Sequence, residues 1–211
     1  MYSTSYIFRA EQYDNDQSVF QHNSYNTVVS TLAEVLPNES SNNYKNLCFL
    51  DMGSGTGNIG QALHEHRFIG VIDGVEGNSE MNAVAEQKNM HRNLIVHFLT
   101  PDTPVPLDDA SYDVITCCAS LSPRSLPAST VLEMVRLLKP GGYIWYTTRD
   151  TSQHSIYNSK LNGLIDEMIQ SEKVKDIIRR SFSYYTYEVK SENGGTEMFS
   201  LPGIERVLKI T

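Results

Sequence analysis

Long apolar runs, paired cysteines and an excess of basic residues are all missing from this chain of 211 residues. No segment approaches the roughly 18 uninterrupted apolar residues of a membrane-crossing helix. The N-terminal MYSTSYIFRAEQYDND has neither the basic nor the apolar region of a signal peptide. Membrane spanning and secretion are therefore disfavoured, and a cytoplasmic protein is expected. The three cysteines, Cys48, Cys117 and Cys118, lie in apolar runs without a CxxC pair or a Cys/His ligand spacing. Reduced thiols in buried strands are the expectation, with no metal site. Lys and Arg number 17 against 25 Asp and Glu, a formal charge of −8. That balance repels polyanions and makes DNA or RNA a poor partner. The densest basic stretch, 173–180, is interrupted by Asp176 and by apolar residues, and reads as a helix face. Internal repeats, low-complexity tracts and periodic Gly or Pro are absent too. What is left is an ordinary globular composition, long enough to bury a core as a single domain.

Within that domain, apolar residues at Val19, Phe20, Val28, Val29, Leu32, Val35 and Leu36 follow helical spacing up to Pro37. Residues 1–37 are expected to form a one- or two-helix lid. Residues 46–150 then alternate: strand-like runs at 47–50, 68–75, 94–99, 114–119 and 143–148, helix-like stretches at 59–66, 79–88 and 128–138. A helix at 156–170 and two late strands at 183–189 and 204–210, separated by the turn-rich SENGG, fill residues 151–211. Strands alternating with helices predict an α/β fold with a mainly parallel sheet covered on both faces.

The glycine-rich segment DMGSGTGNIG, 51–60, joins the first strand to the first helix. Its backbone amides and the helix N-terminus therefore face the carboxyl edge of the sheet, where a nucleotide-like ligand belongs. Glycines there permit positive φ and close approach of the ligand to the backbone. Two cofactor readings meet in this loop. GTGNIG satisfies the GxGxxG pattern, and Glu76 lies 21 residues after Gly55, as the ribose-binding acid of an NAD-dependent oxidoreductase should. Against that, an acid, Asp51, precedes the glycines, and the run is GxGxG before it is GxGxxG.

LDMGSGTG resembles the first motif of the class I S-adenosylmethionine (SAM)-dependent methyltransferases, of the type 11-like group. PLDDASYDVI at 106–115 resembles that family's LPFxDxSFDxV segment, and LLKPGG at 137–142 resembles the turn before its fifth strand. Tyr6, Tyr13-Asp14, GVEGNSEM and LKPGGYIWYTTR resemble one branch of it, the Williams-Beuren syndrome region methyltransferase-like proteins, over most of residues 6–170. The last 40 residues match less clearly. The resemblance implies a seven-stranded Rossmann-like sheet with helices on both faces and an N-terminal helical lid. Its cofactor would be SAM, leaving as S-adenosylhomocysteine, across the carboxyl ends of strands one, two and four. By the same resemblance Asp51 orients the loop and the amino acid end of SAM, and Gly53, Ser54, Gly55 and Gly57 lie against the cofactor. Glu76 takes the ribose hydroxyls, with Gly77 and Met81 beside it. Thr100 and Asp102 follow the third strand, where many members place an acid at the position Pro101 holds here; Asp102 is the candidate for the adenine amino group. Cys118 and Ala119 fall beside the methionine end.

Methyl transfer from a sulfonium is a direct displacement, so positioning supplies much of the catalysis and no metal is required. Tyr13 either helps hold the sulfonium by cation–π attraction or packs the lid as an ordinary tyrosine. Arg149, in YTTRD, falls where the carboxyl edge should border the substrate, either to bind a carboxylate or to fix a loop. His154, at the same edge, is the histidine to choose as a general base, since imidazole titrates at about 6.5, or else it is a solvent-exposed loop histidine. His22, His64, His66, His91 and His97 receive no role. The expected acceptor is a small molecule, of an atom type the fold does not set. Two rivals stay open: an NAD-dependent oxidoreductase, and a non-catalytic SAM-binding protein acting through a partner.

Overall fold

Apolar residues that alternate along each strand decide which elements cover which face of the sheet. The structure is a computed structural model describing residues 10–19, 22, 24–36, 44–68, 70–190 and 196–211. Tyr6, Phe20, Pro37 and the SENGG segment lie outside the described residues. The elements run α1 (Ala10–Val19), α2 (Ser24–Val35), β1 (Cys48–Met52), α3 (Asn58–Glu65), β2 (Val71–Glu76), α4 (Ser79–Lys88) and β3 (Asn93–Val96). They continue with β4 (Tyr112–Cys117), α5 (Thr130–Leu137), β5 (Leu138–Arg149), a short 3₁₀ turn (Ser152–His154), α6 (Ser155–Gln170), β6 (Val174–Lys190) and β7 (Thr196–Ile210). The seven strands form one sheet in the order β3-β2-β1-β4-β5-β7-β6. β1 to β5 pair in parallel, and β7 runs antiparallel to both of its neighbours.

Successive side chains on a strand point to opposite faces, and the two cores obey that parity. Leu50, Ile115, Ile144 and Leu208 join α5 and α6 through Val131, Met134, Leu161 and Ile165. Their neighbours Phe49, Val114, Trp145 and Val207 join α2 and α3 through Val28, Leu32, Ile59 and Leu63. Val28 and Leu32 are fully buried and Leu36 is 6% exposed, each contributing about 1.5–3 kcal/mol relative to exposure. Helices thus cover both faces, as the alternating pattern predicts.

The basic stretch 173–180 departs from its sequence reading: it is strand, not helix. A register shift lies between Asp176 and Ile178. The extra residue breaks the two-residue alternation and leaves Val174 buried and Ile178 half-buried four positions apart, which imitates helical spacing. Edge placement lets Lys175 and Arg179 stay in water.

Glu205 on β7 fastens α2 to this sheet. It is 1% exposed and accepts hydrogen bonds from Thr31 Oγ1 (2.5 Å), Trp145 Nε1 (2.6 Å) and Arg180 Nε (2.6 Å). Arg180 Nη2 also donates to Thr31 Oγ1 at 2.6 Å. One buried carboxylate therefore ties α2, β5, β6 and β7 together.

Candidate functional site

The sheet order reverses between β1 and β4, whose connections leave in opposite directions, and a crevice opens at the carboxyl ends of the strands there. That crevice is a cavity of about 980 Å³, at the upper end of the range for small-ligand sites. The ends of β1, β2, β4 and β5 supply its walls, joined by residues after β3, by α1 and α2, and by Tyr184 of β6.

Its floor is the loop after β1. Gly53, Gly55 and Gly57 have φ of 74°, 54° and 82°, conformations that glycine adopts without penalty. A Cβ on Gly53 would stand 2.5 Å from Ser120 Oγ, and one on Gly55 would project into open space. Gly53 N and Ser54 N donate to Val75 O at 2.8 and 3.1 Å, and Ser120 Oγ donates to Gly53 O at 3.2 Å. The loop is thereby pinned to β2 on one side and to the end of β4 on the other. Ser54 Oγ is buried with no hydrogen-bond partner among the described residues, and Ser54 lines the cavity.

At the end of β2, Glu76 accepts from Gly55 N (3.1 Å) and Asn78 N (2.9 Å). Burial raises its pKa against the pull of these amides. Asn78 caps α4 by accepting from Glu80 N at 2.8 Å, which fixes Gly77 and Met81 on the same wall. Opposite them, Cys118 and Ala119 close the β4 side. Ala119 has a φ of 61° and donates its amide to Thr147 Oγ1 at 3.2 Å. Burial pushes the Cys118 thiol up to about 12, so the sulfur stays protonated.

Tyr13 reaches the cavity from α1, and its neighbour Asp14 holds that helix in place. Asp14 accepts from Thr56 Oγ1 (2.5 Å), Asn58 Nδ2 (2.9 Å) and Lys88 Nζ (2.6 Å). Burial would raise the Asp14 pKa, but these bonds outweigh it and hold the carboxyl below its usual range. The far end of the cavity is aromatic and cationic. The Arg149 guanidinium lies 5.5 Å from the Tyr184 ring centre and 5.3 Å from that of Tyr185. His22 packs its ring 4.8 Å from each of Tyr25, Tyr184 and Tyr185. Burial, then the Arg149 charge, lowers the His22 pKa to about 3, so this histidine is neutral. His154 lines the same end, with Nδ1 2.8 Å from Thr151 Oγ1. Burial, then Arg149 and Arg124, lower its pKa as well.

Of the residues singled out in the sequence, Tyr13, Gly53, Ser54, Gly55, Glu76, Gly77, Met81, Cys118, Ala119, Arg149 and His154 all line this cavity. Four do not. Asp51 is 1% exposed beneath the floor, accepting from Thr116 Oγ1 at 3.1 Å and facing His91 Nε2 at 3.8 Å. Gly57 faces Ala85 and His91 behind the loop. Thr100, half-buried, and Asp102, exposed, lie in a turn in which Thr100 N donates to Thr103 Oγ1 at 3.2 Å. His97, Phe98 and Leu99 line the cavity after β3 instead. Sequence reasoning also missed Tyr25, Ser120, Tyr184 and the segment 122–126. Only the tyrosine pair 184–185 left a trace, and it lies in the part of the chain with the weakest motif.

Residues 50–146 match the family model described as a methyltransferase domain. The chain is 25% identical over 162 residues to human methyltransferase-like protein 27, covering 77% of this chain and 63% of the relative. It is 23% identical to a ubiquinone biosynthesis O-methyltransferase of Coxiella burnetii, covering 74% of this chain and 65% of that one. The chain thus spans a little under two thirds of the length of these curated relatives. A solved SAM-dependent methyltransferase structure from Methanosarcina mazei superposes with a TM-score of 0.56 at 15% identity, covering 85% of this chain and 96% of that one. Residues 50–146, which hold the glycine loop, Glu76 and the end of β4, thus match a methyltransferase domain, and the sheet that carries them has the fold of the solved methyltransferase structure.

Proposed function

We propose that the protein transfers the methyl group of SAM to a small-molecule acceptor in this cavity. The observation that carries the reading is Glu76: a buried carboxylate at the end of β2, held by two backbone amides over a glycine loop at the point where the strand order reverses. The residues present fit the cofactor. Ser54 Oγ is a buried polar atom without a partner among the described residues, and the space beside Gly55 is where a side chain would intrude. When bound, SAM supplies a methyl group made electrophilic by a sulfonium.

In this reading Glu76 accepts both ribose hydroxyls, Gly53, Ser54 and Gly55 meet the methionine end, and Met81 and Leu99 border the adenine. Asp51 acts from below, through β4 and the loop it supports. Cys118 keeps its proton and Ala119 its left-handed backbone, so both shape the wall without titrating. Tyr13 and α1 cover the opening and exclude water. His154, kept neutral by burial and by two guanidiniums, is the group able to take a proton from the acceptor. Closer kinship with the Williams-Beuren region branch belongs to the same proposal, supported by the N-terminal Tyr13-Asp14 that places α1 over the site.

Isothermal titration with SAM, S-adenosylhomocysteine and NADH tests the cofactor half. Saturable binding of the two sulfur ligands alone is expected, and binding of NADH alone would overturn it. Release of S-adenosylhomocysteine across an acceptor panel tests transfer itself.

A further inference from the structure

We propose that the acceptor carries a carboxylate, gripped by Arg149 with Arg124 at the end of the cavity away from Glu76. The inference rests on the methyl-transfer reading only for which end the acceptor occupies. Arg149 is half-buried at the end of β5 and lines the cavity. Tyr184 and Tyr185 hold its guanidinium over their rings and by side-chain hydrogen bonds, contacts to neutral groups that attract a cation without cancelling its charge. Its backbone is fixed too, since Asn158 Nδ2 donates to Arg149 O at 2.9 Å. Among the described residues, no carboxylate lies within 4.0 Å of Arg149 or of Arg124.

A cation withdrawn from water calls for an anionic partner, and the protein does not supply one at this place. The acids that line the cavity, Glu76 and Glu80, stand at the end of β2 and the start of α4. Burial first, then the two guanidiniums, hold the His154 imidazole below its usual range, so both cations act on one ring of the same wall. The neutral His22 behind Tyr184 adds no charge of its own. In a chain with a formal charge of −8, this is a local positive pocket, with Gln153 and Ser122 as further hydrogen-bonding groups. A guanidinium offers two parallel donors that match the two oxygens of a carboxylate. Cationic acceptors meet repulsion in the same place.

Benzoate, p-hydroxybenzoate and phenylacetate, each paired with its neutral amide, are titrated into the protein with and without saturating S-adenosylhomocysteine. The acids are expected to bind about tenfold or more tightly than their amides. In Arg149→Gln that preference should shrink to about twofold or less, and in Arg124→Gln it should fall in part. Melting temperature and S-adenosylhomocysteine affinity report whether each variant keeps an intact cavity. Equal binding of acid and amide, no binding of any acid, or a preference that survives Arg149→Gln overturns the proposal. Arg149-dependent binding of acids by a protein that ignores S-adenosylhomocysteine would instead remove the cofactor reading and leave the anion site standing.

Discussion

Acid should destabilise this protein through His22, and the size of the loss follows from where its ring sits. His22 is 6% exposed, packed among three tyrosines, with Nδ1 unpartnered among the described residues. Burial and then Arg149 lower its pKa to about 3, whereas an unfolded histidine titrates near about 6.5. The folded value is the depressed one, so between these limits the unfolded chain binds the proton and the folded chain does not. Stability from this group is complete above about pH 6.5 and drains away as the pH falls toward about 3. The slope is about 1.4 kcal/mol per pH unit, which makes the loss about 2 kcal/mol at pH 5. For a domain of this length that corresponds to roughly 4–8 °C of melting temperature. Thermal unfolding at pH 7 and pH 5 should be measured on the protein and on His22→Phe, whose ring cannot titrate. Asp14 and the other carboxylates titrate in both, so the difference between the two drops isolates the imidazole. Drops equal to within about 0.5 kcal/mol would refute the reasoning.

Removing Glu76 tests the other end of the cavity. Glu76→Ala removes the proposed acceptor of the ribose hydroxyls and should cost about 1–3 kcal/mol of S-adenosylhomocysteine affinity by titration calorimetry, with unchanged affinity counting against the placement. Arg180→Leu takes the cation from buried Glu205. Breaking a buried pair from one side costs about 3–5 kcal/mol, which Thr31, Trp145 and the 44% exposure of the Arg180 side chain reduce to about 2 kcal/mol. Urea denaturation reads that loss, and a combined Arg180→Leu, Glu205→Leu variant should recover part of it. Gly53→Ala forces a φ of 74° on alanine and sets its Cβ 2.5 Å from Ser120 Oγ. A cost of about 1–3 kcal/mol in stability is expected, with weaker S-adenosylhomocysteine binding, and wild-type values for both would show that the loop is not clamped between β2 and β4.

The glycine-loop side of the cavity was legible because its residues sit in contiguous segments. The glycines, Glu76 and the end of β4 each occupy one strand-to-helix junction, where the two-residue and helical periods change over and mark the position. The rest depends on pairing that no local pattern carries. Tyr184 reaches the cavity because β6 pairs with β7 and β7 inserts beside β5, and Tyr25 because α2 docks through a carboxylate far along the chain. The bulge at Asp176 hid the first half of β6 by spoiling its alternation, while 183–189 in its second half read as strand. Asp51 and Gly57 stand inside the right motif but face away from the cavity, since a motif fixes spacing along the chain and not the direction in which a side chain leaves it. Thr100 and Asp102 were displaced by a turn closed on Thr103.

The Glu205 clamp also sets an order of assembly. Gly55 and Glu76 meet across 21 residues and Asp51 and Thr116 across 65, while Thr31 waits for a partner 174 residues away. Contacts that close longer loops lose more chain entropy before they return any stability, so they form late. A refolding chain therefore has its glycine loop and first four parallel strands before α2 can dock. Until β7 inserts, the crevice has a floor and no far wall, and water fills the end that Arg149 and Tyr184 will line.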